Sequence, residues 1–148
     1  MSVEDNEDEI GKMTSTQDNG YNFHVSTSEN GFHASTYGFV SHAYTNGDEA
    51  HSFANGNSSH AITVGYESNA STRGFNSISC ALGEHSKARV ENGWIILVDW
   101  RIEDESYIII GIYHAKVGGK IKNMKIESDY WYWFEDGKIK KSKAMLKG

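Results

Sequence analysis

A nine-residue period running from Gly20 to Glu91 constrains this chain more than any other feature. Eight units fit the span, opened by Gly20, Glu29, Gly38, Gly47, Gly56, Gly65, Gly74 and Gly83. Five positions after each opener the residue is small: Val25, Ala34, Ala43, Ser52, Ala61, Ala70, Ser79 and Ala88. The position before it reads His24, His33, His42, His51, His60, Asn69, Ile78 and Lys87. A fixed period held over that length marks a solenoid, in which each unit stacks on its neighbours.

Side chains along a strand alternate between faces. The third, fifth and seventh positions of the units carry mostly Ser, Ala and Thr, which suits a narrow interior. The fourth, sixth and eighth carry His, Tyr, Phe, Ile, Asn and Arg, which are too large and varied for one. Nine residues are too few for two strands and two corners, so one unit is read as half a coil. Sorting alternate units onto two sheets then collects Tyr44, Ile62, Val64, Ile78, Cys80 and Leu82 on one outer face. The other collects Asn69, Ser71, Arg73, Lys87, Arg89 and Glu91. That separation of apolar from polar appears only at a period of eighteen.

Outside the repeat, residues 1–19 read as an acidic, flexible arm, and 92–148 as a different unit from the 20–91 roll. All four tryptophans lie in this last segment. Trp94–Trp100 and Tyr107–Tyr113 read as strands around a polar Glu103–Ser106 turn. Trp131–Phe134 and Lys138–Lys140 flank an Asp136-Gly137 hairpin signal. The expected fold is therefore all-β: a parallel two-sheet β-roll, nine residues per half coil, with a C-terminal antiparallel β cap. Open ends of such a roll need covering, and the C-terminal segment is expected to cap that end, to fold over the apolar face, or both.

The rhythm Gly56-Asn-Ser-Ser-His-Ala61 and Gly65-Tyr-Glu-Ser-Asn-Ala70 resembles the head repeats of trimeric autotransporter adhesins. Over residues 38–140 the chain is also similar to small repeat-plus-cap proteins of bacteriophages and gut bacteria. The junction Ser86-Lys-Ala88, Gly93-Trp-Ile-Ile-Leu97 and Trp100 carries that similarity, with Trp131–Phe134 and Asp136-Gly-Lys138. The adhesin resemblance implies trimerisation at most, because the neck, stalk and anchor of those proteins have no counterpart here. The phage resemblance implies a bacterial cytoplasm as the setting.

Bulk properties exclude several classes. No apolar run approaches the ~18 residues of a membrane span, and the start lacks the basic and apolar regions of a secretory signal. A single cysteine, Cys80, rules out an internal disulfide. The net charge of −6 combines an acidic start with a lysine-rich finish. Arginine is scarce, so nucleic acid is not an expected partner. Calcium-binding rolls need a Gly-Gly-x-Gly-x-Asp corner, which is absent, and no ice-binding Thr-x-Thr array faces outward.

Chemistry in the repeat centres on histidine. At period eighteen His24, His42 and His60 stack on one sheet and His33 and His51 on the other, at the ~4.8 Å strand spacing. Such a row is a solvated ladder, a pH-sensitive patch, or a zinc or nickel site. Catalytic candidates are confined to Cys80, His85 and His114, with the acidic group Asp99, Glu103, Asp104 and Glu105 nearby. None forms a recognised catalytic motif, and neither enzyme activity nor a cofactor is expected.

The apolar outer face is the expected working surface: Tyr44, Ile62, Val64, Ile78, Cys80 and Leu82, joined by Trp94 and Trp100. It points to a non-enzymatic interaction protein that self-associates as a dimer or trimer and engages a protein partner. The alternatives are a small phage-encoded inhibitor that occludes a bacterial defence protein, and an enzyme with its site beside His114 and Asp99.

Overall fold

The structure, a computed structural model, describes residues 13–15 and 24–143. Every regular element among them is a strand. The repeat supplies β2 (His24–Thr27), β3 (His33–Tyr37), β4 (His42–Thr45), β5 (His51–Asn55), β6 (His60–Thr63), β7 (Asn69–Ala81) and the start of β8 (Lys87–Glu103). After them come β9 (Ser106–Lys116), β10 (Lys120–Ile121), β11 (Met124–Lys125), β12 (Trp131–Glu135) and β13 (Lys138–Ser142).

Parallel pairing sets the period at eighteen. His24 lies beside His42, His42 beside His60, and His60 beside Ile78. On the opposite sheet His33 lies beside His51, His51 beside Asn69, and Asn69 beside Lys87. The half-coil reading is correct, and the chain is a β-solenoid of about four turns. We call the sheet built from β2, β4, β6 and the end of β7 the front sheet. The back sheet holds β3, β5 and the beginnings of β7 and β8. Both long strands cross from back to front, with register shifts between Thr72 and Ser77 where β7 meets β8.

Interior composition is as small as the pattern requires. Ala34, Ala43, Ala54, Ala61, Ala70 and Ala88 are buried, together with Ser41, Ser52, Ser59, Ser68, Ser77 and Ser79. The two sheets are zipped across this interior by hydroxyls: Ser52 Oγ donates to the Ile62 carbonyl at 2.8 Å, and Thr72 Oγ1 lies 3.1 Å from Ser79 Oγ. Each corner bends through a left-handed residue two positions after its opener, at Val40, Glu49, Ser58, Glu67, Asn76 and His85. Glycine occupies this position once, at Gly31 after the opener Glu29. The openers are glycine for another reason: a Cβ on Gly56, Gly65 or Gly83 would collide with the backbone carbonyl of the opener one coil earlier.

Two sequence boundaries need correction. Met13–Ser15 lies inside the expected arm, yet forms β1 and pairs in parallel with His33–Ser35. The roll therefore begins before Gly20, at a spacing that breaks the nine-residue rhythm; the rest of the arm lies outside the described residues. The boundary expected between residues 91 and 92 falls inside β8, which runs unbroken from roll to cap.

The C-terminal segment lengthens both sheets and plugs the gap between them. β9 pairs antiparallel with β8 and extends the front sheet. β12 pairs antiparallel with β8 through Tyr132 and Ala88 and extends the back sheet, with β13 outside it. Between them Ile121 and Ile126 pack with Val90, Ile95, Leu97, Tyr132 and Phe134 in a core of large side chains. The Asp136-Gly137 turn has both residues at positive φ, 52° and 77°, as a tight hairpin requires. Of the two expected roles, the segment takes that of end cap.

Candidate interaction surface

Because the cap extends the sheets, no described segment folds over the outer face of the front sheet, although Cys80 and Val98 on it are buried. Register defines its rows. One reads His24, His42, His60, Ile78, Trp94, Lys116; the next reads Ser26, Tyr44, Ile62, Cys80, Ile96, His114. By alternation Val64, Leu82, Val98 and Ile112 share this face. The surface is thus graded, polar and histidine-bearing on the early coils and apolar from β6 onward.

Seven of the eight residues named from the sequence fall together on this face: Tyr44, Ile62, Val64, Ile78, Cys80, Leu82 and Trp94. Tyr44 and Trp94 are the most open of them, 38% and 41% exposed. The eighth, Trp100, sits on the same side but is tied down, its indole N–H donating to the Leu82 carbonyl at 2.9 Å. Its ring meets Tyr107 edge-on. Sequence reasoning missed Ile96, Val98, Ile109 and Ile112. The apolar run Tyr107–Tyr113 was legible as a strand, but its place at the end of the front sheet was not. That place follows from β9 turning back on β8, which adds Ile109 and Ile112, 50% and 61% exposed, to the same surface.

The back sheet ends differently. Lys87 Nζ lies 4.3 Å from the Trp133 ring centre, and the Arg89 guanidinium 4.8 Å from that of Trp131. These pairs are cross-strand neighbours set by the Tyr132–Ala88 register. Beside them Glu67, Asn69, His85, Lys87, Trp133 and Glu135 line an open polar hollow of about 380 Å³. Its charges are mixed in sign.

The histidines are neighbours as the period requires, His24 on His42 and His33 on His51 stacked and His42 against His60 edge-on. Ring centres are 4.5 Å apart for His24 and His42, 4.6 Å for His33 and His51, and 4.6 Å for His42 and His60. Burial lowers the pKa of His33 and His60. It does the same for His42, with repulsion from His60 and His24 added. At His51 burial, with a contribution from His33, takes it to about 4. Among the described residues no group of three or more His, Cys, Asp or Glu is arranged to hold a metal ion.

The catalytic candidates do not converge. Burial pushes the Cys80 thiol up to about 11, so it is no thiolate at neutral pH. His114 lies on the same row with Ile96 between them, two strands away. Asp99 is buried, 3.7 Å from Arg101, on the opposite face of β8 from Ile96 and its partner His114. His85 is at a corner, packed edge-on against Tyr66.

No known protein family, curated protein or solved structure matches the chain.

Proposed function

We propose that this chain is a non-enzymatic protein-interaction module whose working surface is the outer face of the front sheet. One observation carries the reading: the C-terminal strands lengthen the sheets and leave Tyr44, Ile62, Val64, Ile78, Leu82, Trp94, Ile96 and Ile112 side by side on an open face. A contiguous apolar surface of this kind, framed by polar residues, is characteristic of protein contact sites. Its aromatic members, Tyr44 and Trp94, are of the types enriched in such contacts. The paired backbone behind it holds the face flat, so a partner docks without ordering a loop. The fitting occupant is a folded protein with a complementary flat apolar patch.

The test is capture from the cells that make the protein, using three baits. The wild type and a back-sheet variant, Arg73→Glu, should retain the same partner; the front-sheet variant Ile62→Glu/Leu82→Glu should lose it. Loss with Arg73→Glu and retention with the front-sheet variant would contradict the proposal.

A further inference from the structure

The two sheets end in very different edge strands at the cap. On the back sheet the edge is β13, where Lys138, Lys140 and Lys141 occupy three of five positions. Lysine on an edge strand is a common guard against pairing with another chain. On the front sheet the edge is β9, which among the described strands pairs with β8 alone. Its stretch Tyr107-Ile-Ile-Ile-Gly-Ile-Tyr113 carries no charge and no proline. Ile109, Ile110 and Ile112 are 50%, 44% and 61% exposed. A long, uncharged, apolar edge is the kind that soluble proteins cover.

We infer that β9 is covered by β9 of a second copy of this chain, paired antiparallel about a two-fold axis. One symmetry requirement and two observations select this occupant. Two-fold closure of identical edges requires antiparallel pairing. The ends of β9 are complementary when reversed: Glu103, Asp104 and Glu105 precede it, and Lys116 closes it, with Lys120 and Lys122 beyond. The faces also match. β9 holds one extra residue, Ile110, where its register against β8 slips between Asp99 and Trp100. Consequently Tyr107 and Ile109 share the outer face with Ile112, His114 and Lys116. A dyad between Ile110 and Gly111 therefore sets Ile109 opposite Ile112 of the second copy and Tyr107 opposite its His114. It sets Lys116 opposite Glu105. The two pairs within β9, Ile109 with Ile112 and Tyr107 with His114, join outer face to outer face. The dyad stands perpendicular to the sheet, so the two front faces become one continuous surface and remain open to a partner.

Light scattering on the purified full chain, with amide exchange of β9, tests this. The expected mass is about 33 kDa, twice 16.5 kDa, with amides protected on both edges of β9. Ile109→Lys/Ile112→Lys, at exposed positions the fold tolerates, should give monomer with every second β9 amide exchanging freely. Glu105→Lys alone should weaken the dimer roughly fivefold, and Glu105→Lys/Lys116→Glu should restore it. A monomeric wild type, a trimer, or a dimer indifferent to Ile109→Lys/Ile112→Lys would overturn the inference. A dimer lost in Tyr44→Glu but kept in the β9 variant would move self-association to the sheet face. None of these results decides whether Ile62→Glu/Leu82→Glu loses its partner, so the two proposals fail separately.

Discussion

Serine three positions after the opener, as at Ser41, Ser59, Ser68, Ser77 and Ser86, and glycine at the opener form one device at the residue scale. Ser68 Oγ donates to the Gly47 carbonyl at 3.1 Å and accepts the Ala50 N–H at 3.2 Å. Ser86 repeats the pattern one coil on, donating to the Gly65 carbonyl and accepting the Ser68 N–H. The hydroxyl thus satisfies backbone groups that the corner would otherwise leave unpaired in a buried setting, and only glycine lets the coils approach closely enough. Ser68→Ala should cost about 2 kcal/mol, because a buried N–H loses its partner; urea unfolding measures it. Gly-x-x-Ser was visible in the sequence as a rhythm, but its meaning was not. The bonds join residues eighteen and twenty-one positions apart, which no local pattern announces.

The histidines make a second prediction at this scale. The folded-state pKa of His51 is held near 4, below its ordinary 6.5. A depressed base is fully compatible with the fold above pH 6.5. As pH falls from there toward 4, the unfolded chain takes up a proton the folded chain refuses, and stability drops. His33, His42 and His60 shift in the same direction and add to the loss. His51→Asn, which copies Asn69 in the next coil, should flatten the midpoint-versus-pH curve over that window. An unchanged slope would show that the ladder does not drive it.

At the element scale, the β12–β13 hairpin and the β10–β11 plug decide how the roll ends. The Asp-Gly turn and the aromatic run made the hairpin legible. Its attachment to the back sheet was not, since it rests on a single bridge between Tyr132 and Ala88 and on side-chain packing. Tyr132 is fully buried; its hydroxyl accepts the Glu127 N–H at 2.7 Å and donates to the Lys125 carbonyl at 3.2 Å. Tyr132→Phe keeps the packing and strands those two groups, so a loss of about 1–2 kcal/mol is expected. Phe134→Ala opens the large-residue core instead and should cost about 3–5 kcal/mol. Thermal unfolding separates the two. The strand β1 shows the opposite limit of sequence reading. Three residues without periodicity pair with β3 because an open sheet edge accepts any extended chain.

For the whole molecule, the eighteen-residue period alone is enough to sort the outer residues into an apolar and a polar face. Where the cap goes was not decided by that sorting. Tyr107–Tyr113 could have folded over the front face, burying Ile62 and Leu82, or beside it. The Glu103–Ser106 turn settles the matter: Asp104 and Glu105 at positive φ reverse β9 tightly onto β8, within the plane of the sheet. The front face is left open as a consequence.

The most direct test is a photo-activated cross-linking residue placed at position 62, in the middle of the front face, with the same residue at position 73 on the back face as control. Expressed in the cells that make the protein, the position-62 chain should form a discrete heteromeric adduct and the position-73 chain none. Equal labelling from both faces, or an adduct from position 73 alone, would contradict the front sheet as the working surface.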